Sequence, residues 1–105
     1  MPFANPHERA IHFAKHGHEF GASTEIDYER MADTFMSRPM TMTMRECIRP
    51  NRTHRLRVDL AKDHFGVAVA AANTVVTYYV VPFHRKHRRG GIAPFFAYEC
   101  SRNDL

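Results

Sequence analysis

A chain of 105 residues, 44% of them hydrophobic, has the size of one domain with one modest core, and is expected to span 1–105 without an internal boundary. Its formal charge of +4, before any of its eight histidines is protonated, and its pI near 9.4 point to polyanionic partners such as RNA, DNA or an acidic protein. No apolar run nears the roughly 18 residues of a membrane span, Met1 to Ala14 has no signal-peptide core, and Cys47 and Cys100 form neither a disulfide scaffold nor a CxxC zinc motif. A membrane protein and a disulfide-rich miniature fold are thereby set aside. Reduced thiols in a cytosolic setting are expected, with a single disulfide as the alternative.

Asn5-Pro6 followed by Glu8 predicts a helix start, because Asn caps, Pro tolerates the first helical position and Glu favours the positive end of the dipole. Gly21 predicts its stop. Helical spacing puts Ala10, Phe13, Ala14, Gly17 and Phe20 on one side, and Glu8, His12, Lys15, His16 and Glu19 on the other. The first face should be buried and the second displayed, with Lys15 and Glu19 as an i, i+4 pair. His18 falls outside the polar sector. Thr24 with Asp27 predicts a second capped helix to about Met36, whose core stripe is Tyr28, Met31, Ala32 and Phe35, ended by Ser37-Arg38-Pro39.

The period then changes from helical to alternating. Met40 to about Ile48, His54 to Leu60, Phe65 to Ala71 and Val75 to Val81 predict four antiparallel strands joined by turns at Pro50-Asn51-Arg52, Lys62-Asp63-His64 and Asn73-Thr74. Pro82 closes the last strand, and a basic loop runs to Gly91. Ile92 to Arg102 reads as a short helix with Pro94 in its first turn, or as an edge strand, with the helix preferred. The expected class is α+β: two N-terminal helices packed on a four-stranded antiparallel sheet, with a short C-terminal element.

Histidine exchanges its proton near neutral pH, so His12 and His16, one turn apart beside Lys15, are candidate general acids or bases. A zinc site on the same pair is disfavoured by the cation inside HxxxH and the lack of a third ligand, so no metal or other cofactor is expected. Thr77 and Tyr79 share one face of the last strand, where two hydroxyls could hold a phosphate or orient a 2′-hydroxyl. Arg55 and Arg57 line the polar face of the second strand; if that is also the face of Thr77 and Tyr79, an arginine, Arg57 ahead of Arg55, would stabilise a developing phosphorane. The run His84 to Arg89 supplies Arg85, Lys86, Arg88 and Arg89 as a candidate grip on a phosphate backbone.

The pattern HFxKHGxEFG from His12, the Thr-capped helix with Tyr28 and Ala32, RxRxD from Arg55, HFGV from His64 and TYYVVP from Thr77 resembles toxin domains of the barnase, EndoU, colicin and RelE (BECR) superfold. The nearest likenesses are the C-terminal ribonuclease domains of contact-dependent inhibition and other polymorphic toxins, and phage-borne relatives. The likeness runs from about Ile11 to Cys100. It implies helices on a four-stranded sheet and metal-independent cleavage of RNA, often tRNA, by 2′-hydroxyl attack. It also implies a helical histidine (His12 or His16), a basic residue (Lys15 or Arg57) and the pair Thr77 and Tyr79 as the machinery. A cognate, acidic immunity protein and action in the cytoplasm of the producing or target cell follow from the same likeness. Two other readings stand beside it: a non-catalytic nucleic-acid-binding module that uses the sheet and the basic loop, and a phage structural protein whose fold has lost its activity.

Overall fold

The computed structural model describes residues 1–83 and 90–102. Helix α1 (Pro6–His16) starts as its sequence dictates: the Asn5 side chain accepts the Glu8 N–H at 2.9 Å, and Pro6 needs no partner for the N–H it lacks. It tightens into a 3-10 turn over Gly17–Phe20, which ends at Gly21 with φ of 69°, a left-handed conformation that glycine adopts without strain. Helix α2 (Glu25–Ser37) is capped by Thr24, which accepts the Asp27 N–H at 3.1 Å, and ends where Arg38 turns extended before Pro39. It buries Tyr28, Ala32, Phe35 and Met36.

Four strands follow: β1 (Met44–Ile48), β2 (His54–Asp59), β3 (His64–Val69) and β4 (Thr74–Val80). They form an antiparallel meander in the order β1-β2-β3-β4. The first strand is shorter than its alternation predicts. Met44 already faces Asp59, the last residue of β2, so the residues before it have no strand to pair with, and Met42 is 94% exposed. Ile92–Ser101 is a helix, α3, as preferred from sequence.

The sheet is covered on both faces. Tyr28, Phe35 and Met36 of α2 pack with Ala68, Val75 and Tyr78 on one side; Phe95 and Phe96 of α3 pack with Leu56, Val58, Phe65, Val67 and Tyr79 on the other. A bulge in β4 decides which side each residue of that strand takes. Ala68 faces Val75 whereas Val67 faces Thr77, so Val76 is inserted and the alternation restarts. Thr77 and Tyr79 therefore look towards α3, and Tyr78 towards α2, as the spacing predicted for these three.

The expectation of reduced thiols is corrected. Cys47 of β1 and Cys100 of α3 are joined in a disulfide, with Cα atoms 6.2 Å apart across a sequence separation of 53. Beside it, Arg49 and Glu99 make a buried ion pair at 3.0 Å, and the Arg49 Nε also donates to the Glu99 carbonyl. The third helix is thus tied to β1 by a covalent bond and to Arg49, the residue just past that strand, by a salt bridge. Among the described residues, no helix is long and apolar enough to cross a membrane.

Candidate active site at the outer edge of the fourth strand

Among the described residues β4 is an outer strand, so one row of its backbone groups lacks a partner strand. Two contacts cover that row. The Val75 N–H donates to the Pro2 carbonyl at 2.8 Å, and the Val80 N–H donates to Oε1 of Glu19 at 2.7 Å. The second contact brings the α1 motif to the strand of Thr77 and Tyr79.

Oε2 of Glu19 lies 2.9 Å from Nδ1 of His16, and the Glu19 side chain is 1% exposed. A carboxylate on Nδ1 fixes the imidazole tautomer and directs proton exchange to Nε2. The expected Lys15–Glu19 pair does not form, and the 3-10 turn explains why. Residues three apart eclipse in a 3-10 helix, whereas those four apart align in an α-helix, so tightening at Gly17–Phe20 carries Glu19 from the line of Lys15 to that of His16.

The polar sector of α1 is accordingly not displayed as its periodicity predicted. His16 is 8% exposed and stacks on the Tyr79 ring, centroids 5.2 Å apart and planes inclined by 29°. His12 stacks on Phe3 at 5.3 Å and lies 6.1 Å from the His16 ring. The Nε2 of His12 is 3.7 Å from Glu8, and its Nδ1 is buried without a hydrogen-bond partner among the described residues. Burial above all, with His16 and Lys15 adding to it against the pull of Glu8, holds the His12 pKa below the ordinary histidine value. Lys15 remains exposed one residue from His16. Burial, with Glu99 and Glu19 adding to it, pushes the Tyr79 phenol well up, so at neutral pH it is a hydrogen-bond donor and not a phenolate.

The structure therefore brings His12, His16, Tyr79 and the strand position of Thr77 to one edge, and sends the arginines elsewhere. Arg55 and Arg57 lie on the α2 side of the sheet, opposite to Thr77 and Tyr79, so the shared face considered for them does not occur. Arg57 is 5% exposed: its Nε donates to Glu46, and its Nη1 donates to the Phe35 and Arg38 carbonyls at 2.9 and 2.6 Å. Arg55 similarly binds Glu46 and the Met36 carbonyl. Both satisfy carbonyls that every helix C-terminus leaves unpaired. Arg85, Lys86, Arg88 and Arg89 lie outside the described residues.

Sequence reasoning missed Glu19 as the partner of His16. The i, i+3 spacing beside a glycine was the available signal. Among the described residues, no three His, Cys, Asp or Glu side chains converge as a metal-ligand set. No model of a known protein family matches the chain, and no curated protein matches it.

Proposed function

We propose that this chain is a metal-independent endoribonuclease toxin domain that cleaves RNA by attack of a 2′-hydroxyl on the adjacent phosphate. The observation that carries the reading is the His16–Glu19 pair, a histidine held in one tautomer by a buried carboxylate and laid against Tyr79. In the proposed step His16 takes the 2′-hydroxyl proton as the O2′–P bond forms, and the P–O5′ bond breaks. The proton returns to the departing 5′-oxygen, which leaves a 2′,3′-cyclic phosphate. Tyr79 and Thr77 donate hydrogen bonds to the phosphate, and exposed Lys15 supplies positive charge near it. His12, whose burial favours the neutral ring, stands beside His16.

The partners in this reading are RNA, tRNA among the candidates, and an acidic immunity protein suited to a basic surface. Cleavage would take place in the cytoplasm of the producing or target cell, and the Cys47–Cys100 bridge fits delivery through an oxidising space. The test is cleavage of cellular RNA in EDTA by the wild type, His16→Ala and Thr77→Ala, with analysis of the 3′ ends. Cyclic phosphate ends and loss of activity in His16→Ala support the reading; full activity in both variants overturns the assignment.

A second reading is favoured by the burial of His16 and Tyr79 and by the cover that α3 lays over the Tyr79 face. It is a nucleic-acid-binding module without catalysis, and it predicts salt-sensitive RNA binding with no turnover.

A further inference from the structure

On the opposite side of β4 from the His16 edge, a recess of about 380 Å³ opens between α2 and the β2–β3 turn. That volume lies within the range of small-ligand pockets. Three cations line it, Arg30, Arg38 and Lys62, and none of them makes an ion pair among the described residues. Arg30 belongs to α2 and Arg38 is the extended residue just past its end, where its carbonyl accepts a hydrogen bond from Arg57. Lys62 is set by Asp59, whose Oδ1 accepts the Ala61 and Lys62 N–H groups at 3.0 and 3.3 Å. Burial works to raise the Asp59 pKa, but hydrogen bonds from Thr43, Ala61 and Lys62 outweigh it and keep the group a carboxylate. One carboxylate engaged with backbone amides thus faces three cations.

Aromatic rings form much of the remaining wall. Phe20 lies flat on Tyr78, centroids 4.0 Å apart and planes inclined by 7°, and His64 meets Phe20 edge-on at 4.9 Å. Burial lowers the His64 pKa, so its ring is a neutral surface at pH 7. Phe20 and His64 are only half-buried, and since their planes are inclined by 75° each offers a separate surface on which a base can stack. The 3-10 turn spans the two places: Glu19 reaches His16 and the next residue, Phe20, reaches the recess.

We propose that this recess is a nucleotide subsite, in which Arg30, Arg38 and Lys62 hold the phosphate of one nucleotide of an RNA strand and the open face of Phe20 or of His64 stacks its base. The combination of convergent cations and aromatic surface suits a nucleotide better than an acidic side chain, which offers charge without a ring to stack. The inference rests on the ribonuclease reading for its place in function, but the binding is measured separately from cleavage.

The experiment titrates 5′-AMP and 5′-CMP into the full chain and follows the aromatic NMR signals of Phe20 and His64. Ring shifts are expected with at least one nucleotide, and the affinity should fall at least about tenfold in Arg38→Gln/Lys62→Gln as two charge-assisted contacts are lost. Inorganic phosphate alone should bind more weakly and leave the rings unshifted. Arg30→Gln, on the solvent side of α2, gives a second variant should the double substitution disturb folding, and should weaken binding in the same direction. Absent ring shifts, unchanged affinity in the variants, or equal binding of a hexaglutamate peptide would each overturn the proposal. His16→Ala should keep nucleotide binding while it abolishes cleavage. Binding at the rings without RNA cleavage by the wild type would sink the nuclease reading and leave the subsite standing.

Discussion

Nδ1 of His16 and Oε2 of Glu19 stand 2.9 Å apart, and the other oxygen of the same carboxylate takes the Val80 N–H of β4. One side chain therefore orients the imidazole and fastens α1 to the outer strand of the sheet. Loss of its negative charge separates these two duties.

Glu19→Gln keeps an oxygen for the Val80 N–H but can present its amide nitrogen to Nδ1, which reverses the imidazole tautomer. RNA cleavage should fall by about 10²–10⁴-fold with little loss of thermal stability. Nitrogen chemical shifts of the His16 ring report the tautomer directly. An unaltered ring signature together with lost activity would show that Glu19 acts otherwise than through His16.

Gly17 lies beneath the Phe13 ring, and an added Cβ would stand 2.5 Å from the Phe13 Cδ1 and 2.6 Å from its Cε1. Those are carbons of a ring packed against the core, not the loose end of a flexible chain. Gly17→Ala should cost about 1–3 kcal/mol in urea unfolding. Because it displaces the turn that carries Glu19, it should reduce cleavage more than a surface substitution of equal stability cost.

The Cys47–Cys100 bridge closes a loop with a sequence separation of 53. Its removal in Cys47→Ala/Cys100→Ala should destabilise the fold by about 4 kcal/mol on the chain-entropy estimate. Reductant should lower the wild-type urea midpoint and leave the variant unchanged. Glu99→Gln, which removes the negative charge opposite the buried Arg49, should cost about 3 kcal/mol with the disulfide intact.

Mild acid should weaken the fold through histidines that are buried in their neutral form. His12 and His64 both have pKa values below the ordinary 6.5, chiefly because they are buried. As pH falls below 6.5 the unfolded chain binds protons that the folded one still refuses, so stability declines through that window and levels off beneath the folded values. His54 is lowered in the same sense. Asp33 and Asp59, lowered from 3.8, keep their contribution until the pH drops further, through their folded values. Urea midpoints between about pH 7.5 and 5 should slope less in His64→Asn than in the wild type; an identical slope would remove His64 from the linkage.

Local signals were legible wherever neighbours in sequence decide the outcome. Asn5, Thr24, Pro39 and Gly21 mark helix boundaries because caps, proline sterics and left-handed glycine act within a few residues. Alternation located β2, β3 and β4, and the common face of Thr77 and Tyr79 survives the bulge because the inserted residue, Val76, precedes both. Alternation misled at Met40 and Met42, where a strand pattern has no strand opposite it.

By itself, then, the sequence determined the α+β order of elements, the caps and turns, and the presence of titratable residues on α1, since each depends on short-range backbone and side-chain preferences. Only the tertiary structure decided which of those residues meet. The pairing of Glu19 with His16 instead of Lys15 depends on a 3-10 turn anchored by the Val80 N–H, a contact from another element. Arg57 went to the α2 carbonyls because those buried groups need a donor, and Cys47 found Cys100 because packing of α3 on the sheet brought them together. Such contacts join residues that are distant in sequence, and no local period encodes them.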